Sequence, residues 1–334
     1  MGLEQVFTQG NLVDVNISMW AAERRLQPED LGMQGEQLSE AFTLGRKKLI
    51  PPEVIAAFKH LDYRARSTLE KHSFPFGFGG ARFVPKKVFM DFVTEINEII
   101  KEFDDKADDF ARKYKKYKLE MREWYLKAAH EAYRRQGLLC GGTSESRKKF
   151  IETFLDRVDK FYPKVSEIRN RFRMEFVVFQ AALPDLTQAS YADLAEEGEK
   201  IKLMQAAYEK TLQRKVQEFV DNATFEMRNK ANEVLTTVMA SIKKGTRVST
   251  ATLNSIRKMI DEYQRLDIVD DHSFKAVLDD FKVRVLDRYT AKQFRDDSSL
   301  RDKMYKDLKA ISTMAADEKG IAVIAKHYRE RIGL

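Results

Sequence analysis

The residues most able to do chemistry in this chain are scattered, and their spacing decides how far each can be taken. Five histidines stand at His60, His72, His130, His272 and His327. None belongs to a His-Glu-x-x-His motif, and none has a glutamate three residues before it. The spacings that place zinc or di-iron ligands on one helix face are therefore missing. Asp104, Asp105, Asp108 and Asp109 form an acidic cluster with i,i+4 spacing. Four carboxylates around one helix diverge too far to converge on a cation, so the cluster reads as a solvated face. Cys140 is the single cysteine. With no committed His or Asp partner it reads as a bystander thiol, and no disulfide can form within one chain.

Two glycine-rich stretches invite a phosphate-loop reading and do not sustain it. Gly77-Phe78-Gly79-Gly80 lacks the Gly-Lys-Ser/Thr of a P-loop and leads to Ala81-Arg82-Phe83-Val84-Pro85 instead of opening a helix. Gly141-Gly142-Thr143-Ser144 has no lysine and reads as a helix-to-helix loop ending in a Ser cap. No catalytic residue, metal ligand or cofactor site is assigned, and the chain is expected not to be an enzyme. A pocket gathering Asp14, Asn16, His60 and Arg82 would reverse that expectation.

Basic clusters carry more information. Arg134 and Arg135 end one long helix, Arg147, Lys148 and Lys149 begin the next, and Lys243, Lys244 and Arg247 close a third. Cations at a helix C-terminus complement its dipole, whereas the triplet at 147–149 opposes it. If the three helices alternate in direction, all eight residues share one end and form a contact for nucleic acid or an acidic protein. Lys113-Tyr114-Lys115-Lys116-Tyr117-Lys118 interleaves cations with tyrosines. Those tyrosines fall on the apolar seam, which favours core over base stacking.

The elements that must position these residues follow from apolar spacing. Leu12, Val13, Val15 and Ile17 predict a strand that pairs with residues 81–84. Pro51-Pro52 opens a helix carrying Val54, Ile55, Phe58, Leu61 and Ala65. From Pro85 the series Phe89, Phe92, Ile96, Ile99, Phe103, Ala107, Phe110, Tyr114, Tyr117, Met121, Trp124, Ala128 and Ala132 predicts one helix of about 50 residues, ~75 Å long. A second series runs from Phe150 through Phe154, Val158 and Phe161 to Phe172, Phe176 and Phe179, with Pro163 splitting it after Tyr162. Ser190 and Asp193 cap a third long helix reaching Lys244, and shorter helices follow at about 249–266, 271–294 and 298–331.

The expected architecture is mainly α: an elongated antiparallel helical bundle or coiled coil with a small α+β N-terminal head. The division is 1–85 (head), 86–246 (long three-helix coiled-coil region) and 247–334 (C-terminal helical region). Composition agrees: 43% of the 334 residues are apolar and 33% charged, a surplus of charge that long helices expose. The net charge of +7 permits an acidic partner without demanding one. One cysteine, no signal-like N-terminus and no apolar run of about 18 residues predict a cytoplasmic protein with no membrane span.

The runs Leu12-Val13-Asp14-Val15-Asn16-Ile17-Ser18-Met19-Trp20 and Pro28-Glu29-Asp30-Leu31-Gly32, with Lys47-Lys48-Leu49-Ile50-Pro51 and Gly80-Ala81-Arg82-Phe83-Val84-Pro85, resemble a domain-of-unknown-function family of phages, integrative elements and conjugative plasmids. The resemblance covers about the first 90 residues. It implies a bacterial host and a gene neighbourhood with a MoxR-type AAA+ ATPase and a von Willebrand factor A-like protein, and it supplies no catalytic residues. The leading expectation is a helical interaction or scaffold protein, with a AAA+ ATPase among its protein partners. A nucleic-acid-binding accessory using the basic cluster is the alternative. Homo-oligomerisation is a further expectation, from aromatic residues outside the seam such as Tyr125 and Tyr133.

Overall fold

Alternation of apolar and polar residues after Gly10 makes β1 (Gly10–Ser18), with Leu12, Val13 and Val15 buried. The computed structural model describes residues 2–31, 44–77, 79–140, 143–179, 198–243 and 248–332. A short helix, α1 (Gly2–Gln9), precedes β1. The pairing expected between residues 12–17 and 81–84 forms: β5 (Arg82–Pro85) lies antiparallel to β1, with Gly10 opposite Pro85 and Val13 opposite Arg82. β4 (Phe74–Pro75) pairs with β5 across a tight turn in which Gly77 and Gly79 have φ of 80° and 55°. Only glycine takes such values without strain, so the stretch is a turn, as its composition predicts. A separate two-stranded ribbon pairs β2 (Glu23–Arg25) with β3 (Arg46–Lys48).

Pro52 stands first in α2 (Pro52–Lys71), which buries Ile55, Phe58, Leu61, Ala65 and Leu69. The long helix expected from Pro85 is α3 (Lys86–Cys140), unbroken over 55 residues. α4 (Ser144–Asp159) begins at Thr143, whose side chain accepts from the Ser146 amide, and stops just before Pro163, as a residue without an N–H requires. One turn, α5 (Val165–Ile168), follows. The continuation is a correction: Phe172, Phe176 and Phe179 do not lie on a helix. Arg173–Phe179 is strand β6, and the larger sheet has the order β4-β5-β1-β6. Phe172 and Met174 are buried while Arg173 between them is exposed, a period of two. Val177 and Val178 add β-branched side chains that favour strand.

The third long helix is α6 (Gly198–Lys243); the proposed cap at Ser190 and Asp193 lies outside the described residues. Ser249 and Thr252 form a capping box at the start of α7 (Thr250–Leu266). The expected helix 271–294 is instead α8 (His272–Phe281), a π-helical turn (Lys282–Leu286) and α9 (Ala291–Asp296), restarted by a capping box of Thr290 and Gln293. The expected 298–331 helix divides into α10 (Ser298–Ala315) and α11 (Glu318–Ile332). The protein is mainly helical, with small antiparallel pairings.

Residues group into two units. The first comprises Met1–Asp14, Leu69–Val93 and Val177–Leu334; the second comprises Val15–Thr68 and Thr94–Phe176. In the first, Phe76 and Phe83 each pack 4.9 Å from the ring of Phe219 on α6. In the second, Phe58 sits 5.3, 6.0 and 4.6 Å from Phe103, Phe110 and Phe172. Each centre is aromatic, and each joins segments distant in sequence.

Candidate functional site

In the second unit the end of α3 and the start of α4 form a hairpin. Tyr133 packs its ring 5.5 Å from Phe150, and its hydroxyl is 2.9 Å from Ser146 Oγ. Arg147 donates to His130 Nδ1 at 3.1 Å; a guanidinium has only donors, so the imidazole nitrogen accepts. The hairpin thus brings Arg134 and Arg135 into one region with Arg147, Lys148 and Lys149, and all five are exposed. Arg134, Arg135, Lys148 and Lys149 make no ion pair among the described residues. Lys243 is exposed at the end of α6, in the other unit, while Lys244 and Arg247 lie outside the described residues.

That idleness contrasts with the cations further along the same helices. Lys118 and Arg122 on α3 reach Asp159 on α4 at 3.4 and 2.6 Å, and α3 also answers a cation of α2, where Arg64 reaches Glu102 at 2.5 Å. The acidic cluster is spent in the same way. Arg169 bonds Asp108 at 2.5 Å and Asp104 at 2.9 Å. Burial opposes its charge, and the two carboxylates outweigh that and raise its pKa. Asp109 holds Lys113 at 2.7 Å, and this hydrogen bond keeps its carboxyl below the usual range. No group of three or more His, Cys, Asp or Glu among the described residues has the geometry to hold a metal ion.

The aromatic stripe of α3 needs a second correction. Trp124 is not on the seam: it is 52% exposed, and Leu119 and Leu126 of the same helix are also exposed. The seam passes instead through Met121, Tyr125, Ala129 and Ala132, a spacing of four, four and three. Tyr125 is half-buried, its hydroxyl bonds the Lys48 carbonyl, and burial followed by the charge of Asp30 pushes its pKa up. Tyr125 and Tyr133 are therefore engaged within the chain. Tyr114 is buried as expected and donates to the Pro163 carbonyl at 2.9 Å, while Tyr117 stacks on Phe110 at 5.9 Å.

Of the four head residues with catalytic types, Arg82 donates to Ser73 Oγ at 2.7 Å. Asp14 lies beside Gly80 in the same unit. Asn16 and His60 are exposed in the other unit.

Two features of the first unit escape sequence reasoning. Arg228 on α6 is 2.6 Å from Asp271, with side chains only 2% and 0% exposed. Tyr263 donates to the same carboxylate at 2.6 Å, and Arg228 also donates to the Met314 carbonyl at 2.7 Å. A cavity of about 390 Å³ is lined by Lys71, His72, Val88 and a polar stripe of α7 that includes Arg257, Lys258 and Arg265. The α7 spacing is visible in the sequence, but nothing there distinguishes a cavity wall from a solvated face.

No curated protein and no solved structure matches the chain at a significant level. The model of a family described as protein of unknown function (DUF3150) matches residues 8–301, which includes the hairpin, the cavity and both aromatic centres, and the chain belongs to that family.

Proposed function

We propose that the protein is a non-enzymatic interaction or scaffold protein that engages a protein partner through the outward side of the α3–α4 hairpin. The observation that supports this reading is the exposure of Trp124, one of two tryptophans, when Trp20 is 6% exposed and packed 6.0 Å from Tyr114. A large aromatic side chain left in water among charged neighbours is the usual anchor of a binding hot spot. In this reading the helices extend as an antiparallel rod, the setting is a phage or mobile element in bacterial cytoplasm, and the first partner to test is a MoxR-type AAA+ ATPase. The resemblance of the first 90 residues, not the geometry, selects that partner.

The test is binding of the purified full-length chain to a MoxR-type AAA+ ATPase, with and without nucleotide. Trp124→Ala is expected to weaken binding about 30-fold, the equivalent of a 2 kcal/mol hot spot, while leaving thermal unfolding unchanged. Equal affinity of the variant and the parent chain ends this reading.

A second reading rests on the idle cations of the same hairpin, Arg134, Arg135, Lys148 and Lys149. Here the partner is nucleic acid, and affinity for duplex DNA falls with salt by a logarithmic slope of about −0.9 per phosphate contacted. The double variant Lys148→Glu/Lys149→Glu flattens that slope. An unchanged slope, or no binding at low salt, excludes it.

A further inference from the structure

The cavity beside α7 has a neighbour of different character, and the two share part of their lining. The first has Lys71, Arg257, Lys258 and Arg265 on its walls against two carboxylates, Asp261 and Glu262. Asp261 is held by Lys282 at 3.0 Å, so its charge is already answered from outside the cavity. Arg265 is anchored on Asp91, Arg257 on the Leu286 carbonyl, on Asn254 at 3.3 Å and on Asp287 at 3.8 Å, and Lys258 stands 3.7 Å from Glu262. Both guanidinium groups are thereby fixed in place before any ligand arrives, which reduces the ordering that binding requires.

The adjoining space, about 280 Å³, shares Lys71, Glu262 and Leu266 with the first. Its own walls are mainly apolar, with Met227, Ala231, Val234 and Met259 joined by Tyr263 and, on α6, by Lys230 and Glu233. Met227 and Met259 are 3% and 5% exposed, and unbranched thioethers adapt their shape to an inserted chain. The division follows from α7 itself. Residues 257, 258, 261 and 265 share one side of the helix, and residues 259, 263 and 266 turn towards α6.

A cation-bearing cavity sharing walls with a mainly apolar, methionine-lined one suits two parts of one ligand. We propose that this cleft binds a small amphipathic anion: a phosphate or carboxylate group carried on an unbranched apolar chain. The two guanidinium groups and two ammonium groups take the anion, Arg by paired N–H donation. The apolar chain passes Leu266 and lies against Met227, Val234 and Met259. This site belongs to the first unit and does not depend on the hairpin.

Calorimetric titration of the full-length chain with octyl phosphate, octanoate, inorganic phosphate and octanol tests it. Octyl phosphate or octanoate is expected to saturate one site, about tenfold or more tighter than inorganic phosphate and octanol, because each of these supplies only half of the ligand. Lys258→Glu, at a side chain 70% exposed, is expected to weaken binding about tenfold with no change in thermal unfolding. Val234→Trp, which fills the apolar half from a partly exposed position, is expected to weaken octyl phosphate but not inorganic phosphate. Equal affinity for inorganic phosphate and octyl phosphate overturns the proposal, as does binding that neither variant changes. Binding only to anionic lipid vesicles, with no saturation by the monomeric probes, also overturns it.

Discussion

Replacing Asp271 with alanine tests whether the first unit is held together by a buried ion pair. Asp271 is fully buried, and its carboxylate receives Arg228 at 2.6 Å and the Tyr263 hydroxyl at 2.6 Å on one oxygen. The other oxygen receives the Ser273 hydroxyl at 3.0 Å and caps α8 at the Phe274 amide, 3.2 Å away. Removing one partner of a buried pair costs about 3–5 kcal/mol, because the remaining charge has lost its compensation. Loss of the N-cap adds about 1 kcal/mol. Arg228 keeps the Met314 carbonyl and lies 4.2 Å from the Phe274 ring centre, which offsets part of the loss. Asp271→Ala is therefore expected to cost about 4 kcal/mol. Arg228→Met leaves an acid that still has three donors and costs less, about 2–3 kcal/mol. The double variant has neither charge, so its cost falls below the sum by about 2 kcal/mol or more. The measurement is hydrogen exchange of α8 amides across a urea series, since a chain of two units need not unfold in one step. Additivity within about 0.5 kcal/mol refutes the coupling.

In the second unit, Phe58→Ala empties a site that is 0% exposed among three aromatic rings and is expected to cost about 3–5 kcal/mol, read as a lowered urea midpoint. Alkaline pH should unfold the protein through its tyrosines. Burial pushes Tyr114 and Tyr328 up from 10.0 to about 12, and pushes Tyr125, Tyr162 and Tyr263 higher still. A raised folded value means the unfolded chain ionises first. This stabilisation is complete below pH 10 and is lost as pH rises through the folded values. Phenolate absorbance and helical circular dichroism should therefore change together above that pH; full ionisation near pH 10 with helicity retained contradicts the burial.

Much of the fold was legible because helix periodicity and stop signals are local. The strand character of β1 and β5, the opening of α2 at Pro52, the break before Pro163 and the run of α3 all follow from residues within a few positions of the event. The misses have a shared cause. Phe172, Phe176 and Phe179 satisfy a spacing of three and four equally well as a continuation of α4, and only the sheet decides otherwise. Trp124 and Tyr125 both fall three or four residues from a neighbour on the seam, so periodicity cannot choose between them. What decides is the Lys48 carbonyl, 77 residues earlier, which accepts from the Tyr125 hydroxyl.

The same reasoning explains why the candidate sites were only half visible. Sequence locates charges but does not say which are spent. Asp104, Asp108 and Asp109 have the spacing of an open acidic face, and the fold occupies all three with Arg169, Lys113 and Arg112. Arg134, Arg135, Lys148 and Lys149 stand at helix ends, and they make no ion pair among the described residues. A long helix can satisfy its cations cheaply with i,i+4 partners, as Lys113 does with Asp109. The hairpin end has acids within that reach, Glu131 and Glu152 among them, and these two make no ion pair among the described residues. Unpaired charge and an exposed tryptophan contribute little to folding, since surface pairs are worth little and an aromatic ring in water is a cost. A surface that stability does not require is where a partner is best sought, which is why the binding experiments begin at Trp124 and not at the histidines.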